Sequence, residues 1–177
     1  MTGSLKETLD AVGDIMNVTL VPFGNARYDG TKLECQHGED ECKANSWEQC
    51  AISLYPEFSK HWPFYLCIEQ SEMSCGEGAG PCVLKHTKSC AESAGLDYSS
   101  LKACVDSPTE SAALQEAAYK ATPADHSYVP WVVVNGKLSA DSDELLKEVC
   151  KAYKGTKPAA CKKALEDEEA KRCSAEW

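Results

Sequence analysis

The residues best able to do chemistry in this chain lie in one short block. Cys35, Cys42 and Cys50, together with His37 and Gly38, fall within sixteen residues. Thiols and imidazoles at this density can form structural disulfides, hold a zinc ion or carry out thiol–disulfide exchange. The block therefore predicts that cysteine chemistry is central to the protein.

The cysteine count favours disulfides over metal. Eleven cysteines occur in 177 residues, and structural disulfides persist in oxidising compartments, so the count indicates a protein of the secretory route. Zinc sites usually contain cysteine pairs two to four residues apart, whereas neighbouring cysteines here are at least 7 positions apart. Cys35 and His37 form the one local hint of a ligand pair. We expect no metal and no cofactor, and the sequence contains no Cys-x-x-Cys.

Composition argues against several kinds of partner. With 28 acidic and 18 basic residues the formal charge is −10, which disfavours binding to the phosphates of nucleic acids. No apolar run approaches the ~20 residues that span a bilayer, so no membrane partner is expected. The first fifteen residues lack the basic start and apolar core of a secretory signal. The cysteines thus indicate export, which the visible amino terminus does not encode.

Hydrophobic periodicity predicts the order of the elements. We expect a helix at 4–16, a strand at 17–23, a cysteine-rich helical region at 35–120, a strand at 128–134 and a helix at 141–153. Asn135–Gly136 is a strong signal for a hairpin turn. This order predicts an α/β (α+β) class, with a thioredoxin-like fold that lacks its first strand and Cys-x-x-Cys and carries a large disulfide-rich helical insertion.

The length suits one domain. We expect a single thioredoxin-like domain over 1–177 with four parts, which are the first helix and strand (1–34), the cysteine-rich helical insertion (35–120), the strand, hairpin and helix (121–155), and a charged tail (156–177). In a thioredoxin fold an X-Pro bond directly precedes the third strand. Val129–Pro130 stands in that place, so we expect this bond to be cis.

Four motifs resemble one family. The block Cys35-Gln36-His37-Gly38 continues to Cys42 and Cys50 in the pattern Cys-Gln-His-Gly-x2-Glu-Cys-x2-Asn-x4-Cys. That pattern resembles the signature of the gamma-interferon-inducible lysosomal thiol reductase family. The segments that also match are 20–26 (Leu-Val-Pro-Phe-Gly-Asn-Ala), 128–136 (Tyr-Val-Pro-Trp-Val-Val-Val-Asn-Gly) and 149–161.

The resemblance implies a function. Family members are expected to reduce disulfides of protein substrates in an acidic lysosomal or endosomal compartment, through a Cys-x-x-Cys at the start of the first helix. A helix amino terminus lowers the pKa of a thiol, which explains that location. The resemblance also implies that Val129 and Pro130 face the substrate.

The missing Cys-x-x-Cys leaves three hypotheses about what this chain is, of which two are the main ones. In the family layout the pair lies just ahead of the residues that match 4–16, so we expect it just upstream of Met1 and no catalytic residue within the chain as given. The first hypothesis, which we favour, is that the chain is a truncated oxidoreductase and that Met1 is an internal residue of its first helix. The second hypothesis is that the chain is a non-catalytic relative that binds proteins or peptides. A cysteine-stapled helical structural protein explains the middle of the chain but not 128–136. The chain as written is expected to be inactive.

Spacing and parity give further expectations. Short-loop closure favours the pair Cys90–Cys104, followed by Cys75–Cys82 and Cys150–Cys161. Because eleven is odd, one cysteine is free or bonded to another molecule. We expect this to be Cys173, in a disulfide-linked homodimer or as a surface thiol. Asn17 heads a glycosylation sequon. No role follows for His37 from its spacing.

Overall fold

The computed structural model describes residues 2–75 and 80–174. They form mainly helices, with two short hairpins. In chain order the elements are α1 (Thr2–Val12), β1 (Arg27–Asp29), β2 (Lys32–Glu34), α2 (Glu39–Leu54), α3 (Phe58–Cys75), α4 (Gly80–Val83), α5 (Thr87–Ala94), α6 (Tyr98–Asp106), α7 (Pro108–Ala121), β3 (Val133–Val134), β4 (Lys137–Leu138), α8 (Leu145–Ala152) and α9 (Ala159–Ser174). Within these residues, no helix combines the length and apolar character needed to cross a bilayer.

The chain divides into two compact units. The first unit contains residues 1–18 and 130–177, and the second unit contains residues 19–129. The helical region expected at 35–120 therefore lies inside the second unit. The expectation of one domain over the whole chain stays a prediction.

The first unit is built from α1, the β3–β4 hairpin, α8 and α9. Its buried centre contains Val12 of α1 together with Cys150 and Cys161, which are bonded to each other and join α8 to α9. The hairpin turns at Asn135 and Gly136, with φ angles of 49° and 79°. Two consecutive positive φ angles define the turn type that matches strand twist, as the Asn-Gly pair predicts.

The second unit packs α2 to α7 around one core. This core includes Trp47 and Cys50 of α2, Phe64 and Ile68 of α3, and Leu101 of α6. Local signals fix the helix ends. Asp97 accepts a hydrogen bond at the start of α6, Ser107 caps α7 ahead of Pro108, and Gly95 ends α5 in the left-handed conformation.

Five disulfides cross-link the described chain. They are Cys35–Cys42, Cys50–Cys104, Cys67–Cys90, Cys75–Cys82 and Cys150–Cys161. Two of the pairs expected from short loops are thus present. The expected pairing of Cys90 with Cys104 is wrong. α3 packs along α5, and Cys67 on α3 bonds to Cys90 on α5. α2 packs against α6, and Cys50 on α2 bonds to Cys104 on α6. Helix packing, and not distance along the sequence, chooses the partner.

The predicted strands are shorter than expected. Residues 17–23 were expected as a strand, but residues 16–21 have no regular structure and residues 22–25 form a turn. Of the expected strand at 128–134, Val133–Val134 pairs with Lys137–Leu138. An extended segment becomes a strand only when a neighbour completes its ladder of hydrogen bonds, and the described residues offer these segments no further partner strand.

The helices expected at 4–16 and 141–153 are present, and a further helix, α9, lies in the segment expected as a charged tail. α1 continues into a 3-10 turn at Gly13–Ile15. The helix expected at 141–153 is a 3-10 turn at Ser142–Glu144 followed by α8. Both carry an apolar stripe into the core of the first unit, which is why their periodicity was readable.

Loop length predicts how much each disulfide stabilises the protein. Cys50–Cys104 spans 54 residues, whereas Cys35–Cys42 spans 7. In the chain-entropy view, replacing both cysteines of the longer loop with alanine costs about 4 kcal/mol of unfolding free energy, against about 2 kcal/mol for the shorter loop. Guanidinium unfolding of the two double variants measures the difference. Equal losses would contradict this order.

Candidate functional site

The signature block forms a closed loop at the amino end of α2. β2 leads into Cys35, the chain turns through Gln36 to Gly38, and the Cys35–Cys42 disulfide ties the loop to the first turn of the helix. Gly38 has φ 95°, a conformation that side chains with a Cβ rarely adopt. The spacing of Cys35, Gly38 and Cys42 is therefore required by the geometry of the loop.

Glu41 holds the loop from inside. Its carboxylate accepts a hydrogen bond of 2.5 Å from the backbone N–H of His37, and the same oxygen lies 3.2 Å from His37 Nδ1. A glutamate in the third position of a helix commonly reaches back to a free N–H in this way. His37 itself is partly exposed, with its ring beside this carboxylate.

The turn at residues 22–25 docks on α2 through polar side chains. Gln49 Nε2 donates to the Pro22 carbonyl at 2.7 Å, and Asn45 Nδ2 donates to the Phe23 carbonyl at 3.4 Å. Asn25 Nδ2 donates to Gln36 Oε1 at 2.8 Å. The matching segment 20–26 and the signature block are thus parts of one structure, which the sequence alone did not show.

Acidic side chains gather where α2 packs against α3. Glu48 of α2 is buried, and burial raises its pKa well above the usual value, with Glu69 and Glu72 of α3 adding to the effect. Burial also raises the pKa of Glu69 to about 7, while its hydrogen bond with Tyr65 acts in the opposite direction. Sequence analysis missed this cluster, because its members lie on two different helices and only tertiary packing brings them together.

The outer end of this acidic region reaches the signature loop. Burial raises the pKa of Glu72, Glu41 raises it further, and His37 lowers it. The loop and the acidic region are therefore electrostatically coupled. The available sequence signal is that Glu41 and Glu48 are seven residues apart, which places them on one face of α2.

One group of side chains has the spacing of a metal site within the described ranges. The sulfurs of Cys75 and Cys82 and a ring nitrogen of His86 lie within 4.8 Å of one another. Both sulfurs are bonded to each other, whereas a metal binds the thiolate form. This group therefore does not hold a metal while the disulfide is intact.

The remaining expected site residues are separate from the signature loop along the chain. Val129 is 49% exposed, and Pro130 directly follows it in sequence. Asn17 is exposed in an irregular segment. Cys173 belongs to α9, but its side chain lies outside the described part of the structure. The cis form of Val129–Pro130 and the substrate role of both residues stay predictions.

The expected catalytic position adjoins the start of the chain. Met1, directly upstream of which the Cys-x-x-Cys is expected, lies outside the described residues. α1 is described from Thr2 onward. The thiol pair ahead of Met1, and the place of Met1 inside a longer first helix, stay predictions.

Comparison with known proteins identifies relatives. A family model described as gamma interferon inducible lysosomal thiol reductase (GILT) matches residues 1–94. A gamma-interferon-inducible lysosomal thiol reductase of Carassius auratus is 34% identical in an alignment that covers 93% of this chain and 66% of the relative. The Mus musculus protein of the same name is 37% identical, with 85% of this chain and 60% of the relative covered.

A plant relative extends the comparison. The gamma-interferon-responsive lysosomal thiol protein of Arabidopsis thaliana is 33% identical over 156 residues, covering 83% of this chain and 61% of the relative. The chain thus spans 60–66% of the length of these three relatives. Part of each relative therefore has no counterpart in the matched residues.

Two glycines test whether the turn and the signature loop depend on each other. A Cβ on Gly24 would lie 3.0 Å from Glu41 Oε1, whereas one on Gly30 would meet nothing within 4 Å, and φ is 62° and 61°. Both alanine variants cost about 1 kcal/mol for the backbone. Gly24→Ala costs up to about 1 kcal/mol more, because Glu41 Oε1 must shift by a few tenths of an ångström and this weakens the hydrogen bond from His37 to Oε2 of the same carboxylate. Chemical unfolding measures both, and equal costs would show that the contact is unimportant.

Proposed function

The chain belongs to the gamma-interferon-inducible lysosomal thiol reductase family, and we propose that it is part of an enzyme that reduces disulfide bonds in proteins. The observation that carries this proposal is the closed signature loop docked on the turn at 22–25. Two separate family-like motifs build one structure there. The family match is therefore supported by a folded feature as well as by sequence identity.

The reaction needs a thiol pair. A thiolate attacks one sulfur of the substrate disulfide, and the other substrate sulfur leaves as a thiolate. A second enzyme cysteine then attacks the mixed disulfide, which releases the reduced substrate and leaves an enzyme disulfide for an external thiol to reduce. The 177 residues contain no Cys-x-x-Cys, and ten of the cysteines are bonded in pairs.

We place the nucleophile in the whole protein on the amino side of α1, upstream of Met1. The helix start supplies free N–H groups and a partial positive charge, which stabilise a thiolate. The relatives are longer than the matched region, so a site outside these residues is consistent with them. A thioredoxin-like fold is part of this proposal, and in it Val129 and Pro130 would present backbone to the substrate; the 49% exposure of Val129 supports that role.

A non-catalytic binding protein is the second candidate. The absence of a Cys-x-x-Cys from the sequence favours it. Such a protein would keep the disulfide scaffold and the substrate-facing segment at Val129 and Pro130, and would bind proteins or peptides without reducing them. Both candidates should bind protein or peptide substrates, but only the enzyme should reduce their disulfides.

The cross-links support a proposal for the compartment. Five disulfides in the described residues suit an oxidising environment, and the relatives' names refer to the lysosome. We propose an acidic lysosomal or endosomal location, or the extracellular space, reached by the secretory route. Glycosylation at the exposed Asn17 is part of the same proposal.

Activity assays separate the candidates. The 177-residue chain should not reduce insulin disulfides at pH 5 or pH 7, because it has no nucleophile pair. Protein expressed from the natural reading frame, extended upstream through a Cys-x-x-Cys, should be active, and its Pro130→Ala variant should have a lower kcat/KM. Turnover by the chain alone would show that another cysteine is the nucleophile. An upstream stop codon together with peptide binding would support the binding protein.

Cys173 gives a test of assembly. Ten of the eleven cysteines are paired within the chain, so a disulfide-linked homodimer should depend on Cys173. Non-reducing electrophoresis of the exported protein should show a dimer band that Cys173→Ser removes. A dimer band that persists in this variant would exclude the proposed linkage, and a wild-type monomer would leave Cys173 as a surface thiol.

A further inference from the structure

The contact between α2 and α3 buries a carboxyl group without a full set of partners. Glu48 is 4% exposed, and its Oε1 atom has no hydrogen-bond partner among the described residues. An ionised carboxylate in such a place is costly, because burial removes the hydration of Oε1 and no hydrogen bond from the described residues replaces it. Protonation removes the charge and with it most of that cost.

Further carboxyl groups face Glu48 from α3. Glu69, which is half-buried, and Glu72, which is exposed, are the charges that raise the pKa of Glu48 beyond the effect of burial. Tyr65 lies one turn before Glu69 on the same helix face and hydrogen-bonds to it. Glu41, two turns before Glu48 on α2, completes the group at the outer end next to His37. The carboxyl cluster is defined here as Glu41, Glu48, Glu69 and Glu72.

The other neighbours of α2 use their polar groups elsewhere. From α6, the Tyr98 ring stacks on Trp47. From α7, Ser111 and Gln115 donate hydrogen bonds to Ser46. From β2, Glu34 pairs with Arg27. α4, which contacts both α2 and α3, has Cys82 as its one titratable residue type, and Cys82 is bonded to Cys75. On α5, which packs on α3, Lys88 pairs with Glu92. The charges that act on Glu48 are therefore the carboxyl groups of α3.

Protons neutralise the cluster better than a metal ion would. Among the described residues, no three of these carboxyl groups bring oxygen atoms within 4.8 Å of one another, the spacing that Cys75, Cys82 and His86 do reach. A divalent ion needs several oxygens in one shell. A proton needs only one carboxyl group, so the geometry suits protonation.

We propose that the α2–α3 contact is a proton-operated switch, which packs tightly when Glu48 and Glu69 are protonated and loosens when they lose their protons. The packed state binds protons that the loosened state releases, because burial raises the pKa of Glu48 and of Glu69, the latter from 4.5 to about 7. The stabilisation is therefore complete below pH 4.5 and is lost as the pH rises through about 7 for Glu69.

Disulfides limit how far the switch opens. Cys50–Cys104 ties α2 to α6, and Cys67–Cys90 ties α3 to α5. Loosening therefore changes the packing between α2 and α3 without releasing either helix from the second unit. Because α2 carries the signature loop at its amino end, that loop is the part of the molecule placed to respond. This property is independent of whether the protein is a reductase.

Hydrogen exchange of the disulfide-bonded chain at pH 5, 6, 7 and 8 tests the switch. After correction for the intrinsic exchange rate, protection of α2 and α3 amides should fall at least about tenfold between pH 5 and pH 8, given the size of the Glu69 shift. Glu48→Gln and Glu69→Gln keep the side-chain shape and remove the titration. Each single variant should show a smaller fall in protection than the wild type, and the protection of the double variant should fall less than about threefold between pH 5 and pH 8.

Controls separate the switch from a general effect of pH or charge. Glu39→Gln removes an exposed carboxylate from the same helix and should keep the wild-type fall. The protection of the α8 amides, which belong to the first unit, should not fall in this way. A wild-type protein with flat protection across this range, or a double variant with the full fall, would overturn the proposal. If Glu48→Gln does not fold, the less buried Glu69→Gln decides alone, since it should at least halve the logarithmic fall.

Discussion

The second unit depends on disulfides that serve as both cross-link and core. Cys50 and Cys90 are fully buried and Cys104 is nearly so, and all three belong to the same core as Phe64 and Leu101. Short helices such as α5 and α6 cannot bury much apolar area one by one. A cystine between two of them both fills space and removes loop entropy from the unfolded chain. The apolar and polar contacts between the helices of this unit therefore form among helices that the disulfides already hold together.

Covalent restraint explains why α2 can bury polar side chains. Ser46, Glu48 and Gln49 are buried on this helix beside Trp47 and Cys50. In a helix held by apolar contact alone, these groups would compete with folding, because each polar atom needs a partner when it leaves water. Gln49 donates its Nε2–H to the Pro22 carbonyl, while its Oε1 has no hydrogen-bond partner among the described residues. Glu48 uses protonation, and so its contribution to stability depends on pH.

Local signals were readable from the sequence, and tertiary ones were not. The Asn135–Gly136 turn follows from two residues that tolerate positive φ, and Cys150–Cys161 follows from a short loop between two helices. Cys90 illustrates the limit, because its partner Cys67 is chosen by the packing of α3 on α5. The segment 17–23 has strand composition without a strand beside it in the described residues. Amino-acid composition gives a segment a preference for extended backbone, but a strand forms only when a neighbouring segment completes its ladder of hydrogen bonds.

The signature block acts mainly as architecture, and this limits what it says about catalysis. Cys35 and Cys42 close the loop, Gly38 makes its turn, and Cys50 bonds to α6. Glu41 and Asn45 occupy their polar groups on the loop and on the turn at 22–25, and Gln36 is bound by Asn25. Each of these residues is required by the loop before any chemistry is considered. The loop is closed by contacts among these residues alone, so its presence does not distinguish a reductase from a binding protein. Membership of the family follows from the sequence comparisons, and the proposed activity requires a Cys-x-x-Cys, which does not occur in the 177 residues.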